Sequence, residues 1–382
     1  MKVVIAIDSF KGSLSSVEAG QAAAAGVRRV FPDAECAVRP LADGGEGTVD
    51  ALVAGLGGEL RTVTVTGPAG KPTDAKYGLL PGGVAVMEMA EAAGITLVSG
   101  EEKNPLRTTT YGVGEMILDA QKNGARQFVI GIGGSATNDA GAGMLQALGF
   151  RLLDADGNDI PRGGAGLAKL AKIDRGIAAA ALDGKSFRIA CDVKNPLCGP
   201  NGASAVFGPQ KGATPEMVKE LDTALAHFAA VSQSNNPNNR TIEQFPGSGA
   251  AGGLGFAFKA FLNAELVPGV ELILKETGLE EFVREADVVI TGEGRLDGQT
   301  VMGKAPIGVA RLAKKHGKRV LAFSGCVGDG VEAVNAAGID AFFPILRNVV
   351  TLGEALDVPT AAANLTATVE QTFRLLRTVP ST

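Results

Sequence analysis

The sequence predicts an α/β protein of two domains: a doubly wound parallel sheet built from both chain ends, and a second α/β domain inserted between them. Three observations carry this reading. Strand and helix patterns alternate at both ends of the 382-residue chain. Between those ends, three strand candidates follow one another across Gly-Pro-rich turns with no intervening helix, which requires antiparallel pairing. The 53 glycines gather where predicted strands end, a placement that suits ligand-binding loops better than flexible linkers.

Val3 to Asp8 reads as the first strand. Ser15-Ser16-Val17-Glu18 has the form of a capping box and opens an alanine-rich helix that Pro32-Asp33 stops. Cys36 to Leu41 is the second strand; it runs into Ala42-Asp43-Gly44-Gly45-Glu46-Gly47-Thr48 and another helix. The rhythm then changes, with Leu60 to Thr66, Thr73 to Leu80 and Val84 to Ala90 as successive strands. Thr108 to Lys122 follows as helix, Gln127 to Ile132 as strand and Asp139 to Leu148 as helix. Near Asp287 the first rhythm returns, with strands Asp287 to Ile290, Arg319 to Phe323 and Ala341 to Ile345, and a closing amphipathic helix from Pro359 to Leu376. With the N-terminal pair these make five strands, each followed by helix, the number of a flavodoxin-like doubly wound sheet. The expected partition is 1–59 with 284–382 for the flavodoxin-like domain, and 60–283 for the inserted α/β domain with mixed and antiparallel strands.

A net charge of −5 and a pI near 5.3 give no general attraction to nucleic acid, so an anionic ligand must be held by local Lys, Arg and backbone amides. No apolar run reaches the roughly 18 residues that span a bilayer, and Asp8 interrupts the N-terminal apolar stretch too early for a signal peptide, so a cytoplasmic protein is expected. Cys36, Cys191, Cys198 and Cys326 form no CxxC pair and read as reduced thiols. His227 lies within a helical pattern and His316 at a helix end. With only these two histidines, a His-based triad or multi-His metal site is disfavoured, and proton transfer falls to a carboxylate.

Ligands of open parallel sheets sit beyond the carboxyl ends of the strands. There the first strand delivers Asp8 and Lys11, the second Asp43 and Glu46, and the strand from Asp287 delivers Glu293, Arg295 and Asp297. This rim of charged and small residues can bind phosphate, metal and a carboxylate; Asp and Gly also favour turns, whereas Lys11, Glu293 and Arg295 do not. A second cluster, Gly131-Ile132-Gly133-Gly134-Ser135-Ala136-Thr137-Asn138-Asp139, follows a strand and opens a predicted helix, so its amides and helix dipole suit an anion. Ser135, Thr137 and Asn138 are neutral donors or acceptors for a nucleotide, with Asp139 a possible metal contact. Asp192, at a strand end before Asn195-Pro196, can accept a hydroxyl proton or hold Mg²⁺. Gly252 and Gly253 allow close approach of backbone, either to a nucleotide or to another helix. Gly298 to Ala305 fits GxxxxGK but lacks the final hydroxyl of a P-loop and follows no strand directly.

Taken together, these motifs resemble the glycerate kinase family of bacterial glycerate utilisation. The residues that carry the resemblance are Asp8-Ser9-Phe10-Lys11-Gly12, Ala42-Asp43-Gly44-Gly45-Glu46-Gly47-Thr48, Gly133-Gly134-Ser135-Ala136-Thr137-Asn138-Asp139, Cys191-Asp192-Val193 with Asn195-Pro196-Leu197, and Thr291-Gly292-Glu293-Gly294-Arg295-Leu296-Asp297 with Gln299 and Gly303-Lys304. They occur in one order from about residue 3 to the C-terminal helix. The resemblance implies a flavodoxin-like domain interrupted by a restriction-endonuclease-like α/β domain. It further implies transfer of the ATP γ-phosphate to D-glycerate, usually giving 2-phosphoglycerate; the sequence leaves 3-phosphoglycerate open.

On that basis Gly133, Gly134, Gly252 and Gly253 are expected to seat ATP, with Ser135, Thr137 and Asn138 near it. Lys11 stabilises the transferring phosphoryl group, and Arg295 grips the glycerate carboxylate, with Asp8, Glu293 and Asp297 around the substrate. Mg²⁺ is expected on Asp192 or Asp43, with Asp139 a further candidate; the other of Asp43 and Asp192 receives the hydroxyl proton, Asp192 being preferred as base. Two readings from other classes compete. A dinucleotide-dependent oxidoreductase would use Gly131, Gly133 and Ala136, with Asp154 about 20 residues further on as the ribose-binding acid. A non-catalytic hydroxyacid or nucleotide sensor would use the same loops without chemistry.

Overall fold

A computed structural model describes residues 1–42, 44–45, 47–176, 178, 182–235 and 241–378. The chain divides into two compact units: Met1–Asp43, Asp50–Gly58 and Val270–Thr382 form the first, and Gly44–Val49 with Glu59–Gly269 the second.

The first unit opens with β1 (Lys2–Ile7), buried along nearly its whole length, as a central strand of a parallel sheet must be. Its alternate residues serve opposite faces. Val3, Ile5 and Ile7 pack with Ala23 and Val27 of the helix Ser16–Val30 and with Leu365 and Val369 of the helix Val358–Thr378. Val4 and Ala6 pack on the other side with Val283, Ile307 and Val309. Each fully buried Ile contributes about 1.5–3 kcal/mol relative to exposure. The predicted capping box is present: Ser15 Oγ accepts the Glu18 amide at 3.2 Å and the Glu18 carboxylate accepts the Ser15 amide at 2.8 Å. Ser16 Oγ donates to the Ile7 carbonyl at 2.7 Å and accepts the Leu41 amide at 3.0 Å, tying the end of β1 to the segment after β2 (Glu35–Val38).

The second unit begins with the three strands whose direct succession predicts hairpins. β3 (Glu59–Thr66), β4 (Pro72–Leu80) and β5 (Val84–Glu88) pair antiparallel. β6 (Gln127–Gly131) then pairs with β5 in parallel. β7 (Arg151–Leu153) and β8 (Lys172–Asp174) form a separate antiparallel pair. β9 (Ser186–Ala190) and β10 (Glu265–Val267) complete the main sheet in the order β10-β9-β6-β5-β4-β3, parallel from β5 to β10. Its core includes Phe128 stacked on Phe187, with ring centroids 4.8 Å apart.

β11 (Val288–Leu296), β12 (Arg319–Val327) and β13 (Ala341–Pro344) return to the first unit, whose sheet is wholly parallel in the order β13-β12-β11-β1-β2. Numbered within that sheet the order is 2-1-3-4-5. The chain therefore turns outward in both directions from β1, and a crevice opens at the carboxyl ends of β1 and β11. One difference from the sequence reading bears on this crevice. Strands expected to end at Ile290 and Phe323 continue to Leu296 and Val327. The glycines that look like loop residues permit this close pairing: a Cβ on Gly292 would stand 1.9 Å from the Phe323 carbonyl oxygen.

Candidate functional site

At the switch point, Asp8-Ser9-Phe10-Lys11 leaves β1 and lies along Glu293-Gly294-Arg295. Gly294 allows this, because a Cβ there would come within 3.3 Å of Phe10 Cα. Asp8, Lys11, Glu293, Arg295 and Lys304 line one part of a cavity of about 350 Å³. Three cations face two carboxylates, and burial pushes the Glu293 carboxyl upward against the opposing bonds from Thr300 and Lys304. The structure thus gives Glu293 and Asp297 a task not read from the sequence. Glu293 accepts Thr300 Oγ1 at 2.7 Å and pairs with Lys304 at 3.3 Å. Asp297 holds Arg295 Nε at 3.3 Å. These carboxylates orient the cations. The terminal amino groups of Arg295 and the Lys11 ammonium have no hydrogen bond or ion pair among the described residues, which leaves them available to an anion.

In the second unit, the carboxyl ends of β5, β6 and β9 deliver Glu88, the Gly133-Gly134 turn and Asp192. Asp192 is exposed, and its Oδ1 accepts the Gly269 amide at 2.9 Å. Gly133 and Gly134 are exposed, with nothing within 4 Å of a Cβ at Gly133. Ser135 is 8% exposed beside them. The rest of the predicted nucleotide loop lies deeper. Thr137 and Asn138 are fully buried, and Asn138 Nδ2 donates to Ser204 Oγ at 2.8 Å. Among the described residues, Thr137 Oγ1 and Asn138 Oδ1 have no hydrogen-bond partner.

Asp139 does not open a helix. Ala140 and Gly141 take left-handed conformations and the helix runs only over Ala142–Ala147. The Asp139 carboxylate, fully buried, accepts the amides of Thr110 at 2.9 Å, Gly141 at 3.1 Å and Gly143 at 3.3 Å, and the Thr110 hydroxyl at 3.0 Å. A carboxylate so surrounded by donors anchors the loop. A Cβ on Gly252 would meet the Thr137 carbonyl oxygen at 2.0 Å and one on Gly253 would meet Ala140 Cα at 2.8 Å, so the close approach is loop against loop. Asp154 accepts the amides of Asp156 and Asn158 at 3.0 and 2.9 Å in a turn, which removes the ribose-binding acid of the oxidoreductase reading. Asp43 and Glu46 lie outside the described residues.

The sequence pattern of the glycerate kinase family matches residues 3–377. The chain belongs to that family. It is a phosphotransferase with an alcohol group as acceptor. It is 49% identical over 355 residues to a glycerate kinase of Halalkalibacterium halodurans, covering 93% of each chain. It is 48% identical over 374 residues to the glycerate 2-kinase of Escherichia coli K12, covering 96% of this chain and 98% of the relative. A crystal structure from Salmonella typhimurium LT2, described as a candidate glycerate kinase 2, superimposes with a TM-score of 0.90 at 47% identity, over 99% of this chain and 98% of that one.

Three residues of this glycerate kinase family member escaped the sequence reading. Lys304 belongs to the cavity, although the sequence reading placed it in the family motif with no role in the site. Glu88, at the end of an apolar strand, accepts the Val49 amide at 3.2 Å and so holds the Gly44–Val49 segment; burial pushes its carboxyl up to about 7. Lys211 is 1% exposed and donates to the Thr137 carbonyl at 2.7 Å. Burial pulls its ammonium from 10.5 down to about 7, with Asp139 opposing. The unfolded chain therefore binds this proton more tightly than the folded one. Stability from this group is fully present above pH 10.5 and is lost as pH falls through about 7. Lys211→Met should flatten the rise in melting temperature of the wild type between pH 7 and 10, read by thermal denaturation across that range.

Proposed function

We propose that this protein transfers the γ-phosphoryl group of ATP to the 2-hydroxyl of D-glycerate, giving 2-phosphoglycerate and ADP, in the cytoplasm. The observation that carries the reading is the set of available cations, Lys11 and the Arg295 fork, beside Lys304 in the switch-point cavity. The name of the E. coli relative supports the 2-hydroxyl. The strand order 2-1-3-4-5 supports describing the first unit as flavodoxin-like, with the second unit as the insertion.

Phosphoryl transfer depends on positioning and charge neutralisation more than on covalent help from the protein. Arg295, oriented by Asp297 through Nε, binds the glycerate carboxylate with its terminal amino groups. Lys11 and Lys304 stabilise the charge on the phosphoryl oxygens. The open backbone of Gly133 and Gly134, with Ser135, contacts ATP. Asp192 accepts the hydroxyl proton as the acceptor oxygen bonds to the γ-phosphorus, whose bond to the leaving oxygen of ADP breaks. Among the described residues no group of three His, Cys, Asp or Glu side chains is arranged to cage a metal. An exposed carboxylate such as Asp192 instead fits the mode in which Mg²⁺ takes one or two carboxylates and the substrate phosphates. With Asp192 as base Asp43 would hold Mg²⁺, and with Asp43 as base Asp192 would; the ion when bound neutralises phosphate charge.

Phosphorus NMR of the product from D-glycerate and MgATP tests the proposal. The 2-phosphoglycerate resonance is expected together with ADP. A 3-phosphoglycerate product would overturn the regiochemistry, and absence of glycerate-dependent ADP would overturn the reading. Arg295→Lys should raise the glycerate KM about 10- to 100-fold, because Lys cannot reproduce the planar fork, while the ATP KM stays nearly unchanged. Steady-state kinetics in both substrates measures this, and equal effects on the two would refute the carboxylate role.

A further inference from the structure

The switch-point cavity has two walls of opposite character. One carries Lys11, Glu293, Arg295 and Lys304; the other carries Ile345, Leu346, Leu352 and Leu356, with Asn364 beside them on the C-terminal helix. Glycerate, three carbons each bearing oxygen, makes use of the first wall and has no apolar surface for the second. Leu346 and Leu352 line this cavity and keep 39% and 75% of their surface exposed. Apolar side chains left open at a pocket mark a surface that a ligand covers. The Asn364 side chain makes no hydrogen bond within the described residues, so both its amide nitrogen and its carbonyl oxygen are open to a ligand. A side-chain amide offers a paired donor and acceptor, which matches the adjacent amino group and ring nitrogen of adenine. A volume of about 350 Å³ exceeds what a three-carbon acid fills and lies within the size range of small-molecule sites.

We infer that the apolar wall is a purine subsite: the adenine of ATP lies against Leu346 and Leu352 with its amino edge on the Asn364 amide. This rests on the proposed ATP-dependent reaction and adds the residues that select the base. The subsite lies wholly in the first unit, and the nucleotide phosphates extend from it toward Lys11 and Lys304. Guanine presents a carbonyl where adenine presents its amino group, so the same amide must rotate to meet it, and ATP is favoured over GTP.

The test uses the full-length protein and adenosine, which carries no phosphate. Isothermal titration should detect adenosine binding that excess ATP abolishes, and Asn364→Ala should weaken it about tenfold or more. In kinetics the same variant should reduce the ratio of kcat/KM for ATP over GTP about 10- to 100-fold with the glycerate KM unchanged. Leu352→Asp, at a position open enough to tolerate the change, should weaken adenosine binding independently if Asn364→Ala fails to fold. Absence of adenosine binding to the wild type overturns the subsite, as does an unchanged adenosine affinity in both variants. Those outcomes with glycerate phosphorylation intact remove the subsite and spare the reaction. Adenosine binding in a protein that releases no glycerate-dependent ADP removes the reaction and leaves the subsite.

Discussion

Asp192→Asn is expected to lower kcat by roughly 10²- to 10⁴-fold at saturating ATP, Mg²⁺ and glycerate, the range for loss of a positioned general base. The substitution is well controlled by the local structure. Asp192 stands just beyond β9, and its Oδ1 accepts the Gly269 amide at 2.9 Å. Asn keeps an acceptor of the same shape for that amide, so the loop retains its anchor while the group loses its basicity. Apparent KM values for both substrates should change little, because a base acts on the transition state more than on binding. Titration of Mg²⁺ separates the two tasks considered for this carboxylate. If raising Mg²⁺ restores kcat, Asp192 is a ligand; if the deficit persists at every Mg²⁺ concentration, it is the base.

Much of the scaffold was legible in the sequence, because backbone periodicity and caps are local properties. The alternation of Val3, Ile5 and Ile7 with Val4 and Ala6 announces a strand covered on both faces, and Ser15 with Glu18 announces the start of the helix that covers one of them. Three strands in succession without a helix announce the antiparallel part of the second sheet. Glycine misled in both directions. Gly292 and Gly294 read as loop residues, although the missing side chain of Gly292 lets β11 and β12 run on side by side and that of Gly294 admits Phe10. Gly252 and Gly253 read as ligand contacts, although their close neighbour is the Thr137–Ala140 backbone.

The residues missed in the site share one cause. Lys304, Glu88 and Lys211 have ordinary sequence neighbours, and their character comes from burial or from partners distant in the chain. Lys211 sits in Gly-Pro-Gln-Lys-Gly, a stretch with the composition of a turn; only the fold buries its ammonium against the Thr137 carbonyl. Charged groups of this kind carry no periodic signal, because a single side chain has no period.

Asp139→Ala should destabilise the protein by about 3–5 kcal/mol, because several buried hydrogen-bond donors lose their one acceptor group together. The carboxylate is fully buried and gathers the amides of Thr110, Gly141 and Gly143 with the Thr110 hydroxyl. Alanine would strand all of these donors, and the Lys211 ammonium would lose a charge that opposes the effect of its burial. Ala140 and Gly141, both left-handed, depend on the same anchor, so the turn that follows the Gly133-Gly134 loop should loosen too. Thermal and urea denaturation without nucleotide or Mg²⁺ provides the measurement, and the condition matters. A metal contact would leave the metal-free protein almost as stable as the wild type and lower only its response to Mg²⁺. A structural anchor lowers the melting temperature of the metal-free protein directly, and that is the outcome the geometry of Asp139 requires.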